Sequence, residues 1–542
     1  MKGKLLLGFG VFFIFFHLYL GSTAIKSFSP TYDEPVHLTA GYVYWKTGDF
    51  RFNGFHHPPF GEMWAALPLM SLKPLVPITH PAWLKQTWSP HDQYQFADTF
   101  LFRNRVSHET LMKRGRWMQM GLSVLLGVIL CWMGYVLAGP FAAFLAMGFW
   151  SFSPTFLAHG TLVSTDLSFS FFYFCFFVGL LHWRSWKGSI LAGLSLGLCL
   201  GSKFLAIALF PTVFVLLGWM WWRHREIRKE LRQRGPYLKF LLIIGVSFLV
   251  LLILYQGDGL PIFWGGLKRI ITRAQSGRSS YFLGEHQTTG WALYFPFLFL
   301  FKTPLPLLLG FLSSLVLFYQ HRKGYHSLLV IPPLLLFVLA CGSKVQIGHR
   351  HILAVYPFLI LFAAVGLSLM KGRGRIFPVF LLGWLLMEMW FVKPHFLSYF
   401  NEMSGGPKKG YQYVTDSNVD WGQGLKLLSQ ELDQEDLKKG IFLSYFGVAD
   451  PNAYGIAYID VGSDAITGRT DHRERSGLHP TKLAISVTHY QATYFADKNI
   501  FAWLKEKEPS KKIGHSIFLY DFKDDPSSLK KLMMLSGYQP EG

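Results

Sequence analysis

Two stretches limit what this chain can become: LLLGFGVFFIFFHLYLG, starting at Leu5, and FLLIIGVSFLVLLILY, starting at Phe240. Runs this long and this uniformly apolar leave no polar face for water, so they are read as helices lying in lipid. Similar runs fall near 118–138, 141–158, 167–183, 188–203, 204–222, 303–320, 326–341, 351–370 and 376–392. The reading predicts a polytopic α-helical membrane protein with about eleven spans. A chain that is 51% hydrophobic, 17% aromatic and only 15% charged is not an ordinary soluble domain.

The net charge of +20 is concentrated in short loops between apolar runs, such as WWRHREIRKELRQRG, HRKGYH and KGRGR. That distribution follows the rule that cytoplasmic loops are basic, and it argues against a nucleic-acid partner. Lys2 and Lys4 precede the first run, whose length favours a retained helix over a cleaved leader. If Thr31 lies outside, the basic loops 223–239, 321–326 and 371–375 all lie inside. The apolar stretch between HWRSWK and WWRHR must then cross an even number of times, with Lys203 at its outer apex. The chain is thus expected in a plasma-type membrane, with its acids and its C-terminal part on the outer face.

Composition changes near residue 394. KGIFLSYFGV, KLAISVTHY and SIFLYDF read as strands, and LKLLSQELDQEDLKK as an amphipathic helix. The expected organisation is a membrane domain over 1–393, with a first outer loop at 23–117, and a soluble α/β domain over 394–542. Cys131, Cys175, Cys199 and Cys341 sit in apolar segments without CxxC spacing, so neither a disulfide framework nor a zinc site is indicated.

Polar outliers on this topology collect at one membrane face. Asp33 and Glu34 follow the first span, and His57 stands in HHPPF. Asp166 opens a span in HGTLVSTDLSF, Lys203 follows Ser202, and Lys302 precedes Thr-Pro. His349, Arg350 and His351 form GHRH. Each has a plain structural role: Asp166 as a helix cap, the lysines snorkelling to headgroups, His57 in a rigid turn. Taken singly, none decides anything.

Their order resembles the first outer loop of the protein O-mannosyltransferases, which carry Asp-Glu followed by His-Pro-Pro-Leu-Gly-Lys. Asp33, Glu34, His57, Pro58, Pro59 and Gly61 match, whereas Phe60 stands for Leu and Glu62 for Lys. More widely, the chain is similar to the GT-C membrane glycosyltransferases that use a polyprenyl-phosphate sugar, including the bacterial aminoarabinose transferases. There a second acid opens a later span, as Asp166 does, and a Ser-Lys element follows, as Ser202-Lys203 does. The loop 257–290 is too short for the extra domain of the eukaryotic protein mannosyltransferases, which weakens the case for a protein acceptor.

The resemblance implies transfer of a sugar from a polyprenyl-phosphate donor to an extracytoplasmic glycan, lipid or protein. Asp33 is its expected base, with Glu34 holding the acceptor or a neighbouring cation and Asp166 orienting. Lys203, Lys302 and Arg350 are the expected phosphate ligands, and His57, His349 and His351 are further candidates. A single displacement predicts inversion at the anomeric carbon. No cofactor is required. The spacing of Asp416, Asn418 and Asp420 in DSNVDWGQGLKLL fails as a calcium loop, because Trp421 stands where glycine is needed. Asn418 or Asp420 is expected to cap the helix that follows. The rival class is a lipid or sugar transporter, which would place its charges near the bilayer midplane within inverted repeats.

Overall fold

The computed structural model describes residues 2–223, 226, 234–257, 259–320, 326–462 and 477–538. The basic loops 223–239 and 321–326 therefore lie largely outside the described residues.

Most of residues 1–392 is helix, and the helices fall where the apolar runs do. Among the described residues, six are long and apolar enough to cross a membrane, the longest being His108–Ala138. Four more apolar helices, Pro140–Ser151, Asp166–Leu181, Trp186–Leu200 and Ser327–Cys341, are shorter. Tyr294–Lys302 and Leu305–Tyr319 form a pair bent by 106°. The bend has a local cause: Pro304 supplies no N–H, and Thr303 before it is extended at φ −87°, ψ 129°. Side chains such as Phe214, Leu241, Ile253, Val316 and Phe391 stand exposed on the outer helices, as a lipid-facing surface requires. Every residue of Tyr356–Leu367 is buried, so the segment leading into it, which carries GHRH, sits at the middle of the bundle.

The C-terminal part holds a five-stranded sheet of order β4-β3-β5-β7-β6. β3 is Ile441–Ser444, β4 Tyr458–Asp460, β5 Lys482–Ser486, β6 Lys511–Ile513 and β7 Ile517–Asp521. β3 runs parallel to β4 and β5, whereas β7 pairs antiparallel with β5 and β6. A small antiparallel hairpin, β1 (Ser280–Phe282) with β2 (Glu285–Gln287), lies earlier in the chain. The expected amphipathic helix is two helices, Leu425–Glu431 and Gln434–Lys439. Asp433 breaks it by accepting the backbone N–H groups of Glu435 and Asp436 as a cap.

One apolar core joins the two parts. Phe396, Val419 and Trp421 pack in the same buried cluster as Phe156, Leu157 and Tyr356. The chain leaving the first helix is tied to the C-terminal part as well, because Tyr32 N–H donates to the Trp421 carbonyl at 2.8 Å.

Candidate active site

Asp33 and Glu34 are neighbours with different surroundings. Glu34 begins the helix Glu34–Thr47 and turns inward. Its carboxylate accepts from Arg116 Nε at 2.9 Å and Nη2 at 2.5 Å. It also accepts from Thr31 N–H at 2.8 Å and Val163 N–H at 2.8 Å. Arg116 spends its remaining donors on the carbonyls of Phe28 and Ser29. Both side chains are buried, so of the two expectations for Glu34 the geometry fits the one in which it holds a neighbouring cation.

Asp33 keeps 27% of its side chain exposed. Its Oδ1 accepts from the Tyr94 hydroxyl at 3.2 Å, and its Oδ2 from Arg350 Nη1 at 3.1 Å. Burial alone would raise its pKa, but Arg350, His37 and Arg278 together hold it below the usual carboxylate value. The same Arg350 nitrogen lies 3.6 Å from Asp166 Oδ2, and Asp166 Oδ1 accepts from Lys203 Nζ at 2.5 Å. Acid and base thus alternate along a line Asp33–Arg350–Asp166–Lys203 drawn from four distant parts of the chain. Asp166 is the first residue of its helix, and its side chain is engaged by these cations instead of capping, in a position where the helix dipole favours negative charge.

The HHPPF turn is wedged against this line. Phe60 N–H donates to the Gly201 carbonyl at 2.8 Å, and the His57 ring stands edge-on to His37 at 4.8 Å. Gly61 allows the close approach, since a Cβ there would stand 2.7 Å from Ser168 Oγ. The C-terminal part closes the other side. Arg350 Nε donates to Ser417 Oγ at 3.1 Å, and its guanidinium lies 4.0 Å from the Trp421 ring centroid.

Lys302 and His349 stand elsewhere, whereas His351 lies near Lys203, Arg350 and Asp166. Lys302 is buried at the 106° bend, and its Nζ donates to the carbonyls of Leu397 at 3.0 Å and Asn418 at 2.6 Å. It braces the C-terminal segment and is not brought into the charged line. His349 is buried, with Nε2 at 2.6 Å from the Tyr356 hydroxyl and its N–H donated to Asn418 Oδ1 at 2.8 Å. His351 stacks near Phe295, with ring centroids 6.3 Å apart. Neither Asn418 nor Asp420 caps a helix: the next one starts at Leu425, with Gly424 before it. Both are occupied locally, Asn418 with His349 and Tyr294, and Asp420 with the N–H groups of Gly422 and Thr488. Among the described residues, no three His, Cys, Asp or Glu side chains are grouped to hold a metal ion.

Sequence reasoning passed over Tyr94, Arg116, Ser417 and Trp421. Arg116 had a signal, a charge entering an apolar run; TDSNVDW is conspicuously polar, but nothing in it says where the segment folds. Tyr94 had none.

Residues 95–256, which include Asp166 and Lys203, match the model of the dolichyl-phosphate-mannose-protein mannosyltransferase family. The structure of ArnT from Cupriavidus metallidurans in its apo state matches over 98% of this chain and 99% of that one, at 13% identity and a TM-score of 0.51. The fold is GT-C. Two further structures align less well: ArnT bound to undecaprenyl phosphate covers 94% of this chain and 97% of its own at 12% identity, with a TM-score of 0.48. The apo oligosaccharyltransferase of Archaeoglobus fulgidus covers 92% and 71% at 11% identity, with a TM-score of 0.49. No curated protein matches by sequence. Family match and GT-C fold together support a membrane glycosyltransferase that uses a lipid-linked donor, and none of them favours a transporter.

Proposed function

We propose that the protein transfers a sugar from a polyprenyl-phosphate donor to a hydroxyl acceptor outside the cytoplasm, with inversion at the anomeric carbon. The observation that carries this reading is the line Asp33–Arg350–Asp166–Lys203, with a partly exposed carboxylate at one end and two cations within reach.

In the proposed step the acceptor oxygen forms a bond to the anomeric carbon while the bond from that carbon to the phosphate oxygen breaks. The acceptor's proton passes to Asp33, and the polyprenyl phosphate departs with the electron pair. Tyr94 and Arg350 fix the two Asp33 oxygens, so the base is oriented before the acceptor arrives. Arg350 and Lys203 meet the charge that grows on the leaving phosphate. Asp166 holds both cations in place and keeps them from repelling each other. Lys302 has no part in this clamp, because it is buried away from the line with two of its donors on the carbonyls of Leu397 and Asn418.

Arg350 offers a planar fork that can engage two phosphate oxygens, and lysine offers only a point charge. Arg350→Lys is therefore expected to lower turnover and weaken donor binding although the charge is kept. Steady-state kinetics with a synthetic short-chain polyprenyl-phosphate sugar measures this, and unchanged constants would remove Arg350 from the clamp.

The orientation is proposed from the basic loops. In a cysteine-free background, a cysteine at the exposed Glu508 should react with an impermeant thiol reagent in intact spheroplasts. One at the exposed Arg373 should react only after lysis. The reverse pattern would invert the topology and place the charged line inside the cell.

A further inference from the structure

Behind Asp33 lies a second acid–base pair that the proposed mechanism does not use. His37 follows Asp33 by one helical turn, and its backbone N–H donates to the Asp33 carbonyl at 3.1 Å. Its Nδ1 stands 2.7 Å from Glu62 Oε1, with both side chains buried. Asn53 Nδ2 donates to the same oxygen at 2.5 Å, which fixes the carboxylate from a second side. The helix of His37 and the helix of Glu62 touch so closely that a Cβ on Gly41 would overlap the Glu62 backbone. Among the described residues, His37 is the one ion-pair partner of Glu62.

A buried carboxylate is costly unless a cation meets it, and a buried imidazole is ordinarily neutral. Two chemically poor choices in contact explain each other if the proton sits on His37. We propose that the His37–Glu62 pair is a positioning device: it holds a second positive charge beside Asp33 and keeps that base ionised. The proposal rests on the reading of Asp33 as the base.

The groups facing His37 fit this assignment. Asp33 comes from its own helix, Glu62 from Phe60–Ala66, Asp166 from the start of Asp166–Leu181, and His57 from the HHPPF turn. Three of the four are acids. Burial lowers the His37 pKa, but Glu62, Asp33 and Asp166 outweigh it and raise the pKa above the ordinary histidine value. His57 goes the other way: burial, with His37, His56 and Lys203 nearby, lowers its pKa well below that value. The neighbouring histidine is thus pushed toward its neutral form and His37 toward its charged one; burial raises the Glu62 pKa as well, and the His37 and Asn53 hydrogen bonds oppose that rise.

The test reads Asp33 directly and needs neither sugar nor acceptor. Purified full-length protein in lipid nanodiscs is titrated by infrared spectroscopy, and the Asp33 carboxyl band is isolated by subtracting Asp33→Asn spectra. Glu62→Gln removes the anion that keeps the proton on His37, so His37 becomes neutral and Asp33 loses a nearby cation. Its protonation midpoint should rise by about one pH unit or more. His37→Gln, which removes the cation directly, should do the same, and Glu62→Asp should stay close to the native midpoint. An unmoved midpoint in both Gln variants, or a fall, would overturn the proposal and leave the pair as a structural contact between two helices. Failure of the glycosyl-transfer reading would appear separately, as absent turnover in the unmodified protein with this titration intact.

Discussion

Asp33→Asn is expected to cut glycosyl transfer by about 10²–10⁴-fold, the usual contribution of a general base. The amide keeps the size of the side chain; its oxygen can still accept from Arg350 and its NH2 can donate to the Tyr94 hydroxyl, so the contacts that position residue 33 survive. What is lost is the capacity to take the acceptor's proton. Two measurements separate this from a folding defect: thermal stability should change little, and donor binding should persist because Lys203 and Arg350 remain. A variant with near-native turnover would show that some other group is the base.

The second large effect concerns stability. Arg116→Met leaves Glu34 buried without its cation and strips donors from the carbonyls of Phe28 and Ser29. Removing one partner of a buried ion pair costs about 3–5 kcal/mol, because the other charge is stranded in a poor solvent. The expected result is a large fall in the thermal midpoint of the purified protein, with poor yield. Adding Glu34→Gln to the same chain should recover part of the loss, since the stranded charge is then gone. If the double variant is no more stable than Arg116→Met alone, the loss belongs to the Phe28 and Ser29 carbonyls instead.

The helices were legible because lipid imposes a blunt rule: a long apolar run has no other stable conformation there. Finer features depend on local competition that hydropathy does not register. Asp433 divides a pattern that is continuous in its periodicity, and Pro304 follows a helix, Tyr294–Lys302, that sequence reading left outside the span it began at 303. The charged residues were visible as outliers, and parity placed them on one face. Which of them meet was not visible. A lysine at a helix end looks the same whether it faces headgroups, a ligand or, as Lys302 does, two backbone carbonyls. Glu34 and Asp33 are adjacent letters, and their surroundings are set by residues far along the chain: Arg116, 82 residues from Glu34, for the one and Arg350 for the other. Ser417 and Trp421 were hidden for a similar reason, since no pattern announces that a loop after the last span folds back over the GHRH segment.

That fold-back bears on how the protein is made. The last apolar helix ends at Val392, so every residue of the charged line is made before residues 416–421. Arg350 at that stage has its acids but neither the Ser417 hydroxyl nor the Trp421 ring, and Lys302 lacks the Asn418 carbonyl. Tyr32 likewise waits for the Trp421 carbonyl to tie down the chain leaving the first helix. The order of translation therefore delays completion of the surroundings of the charged line until the C-terminal segment has been made and has folded back. A chain ending just after Val392 would hold the acids, the lysine and the arginine, with the wall formed by Ser417 and Trp421 missing.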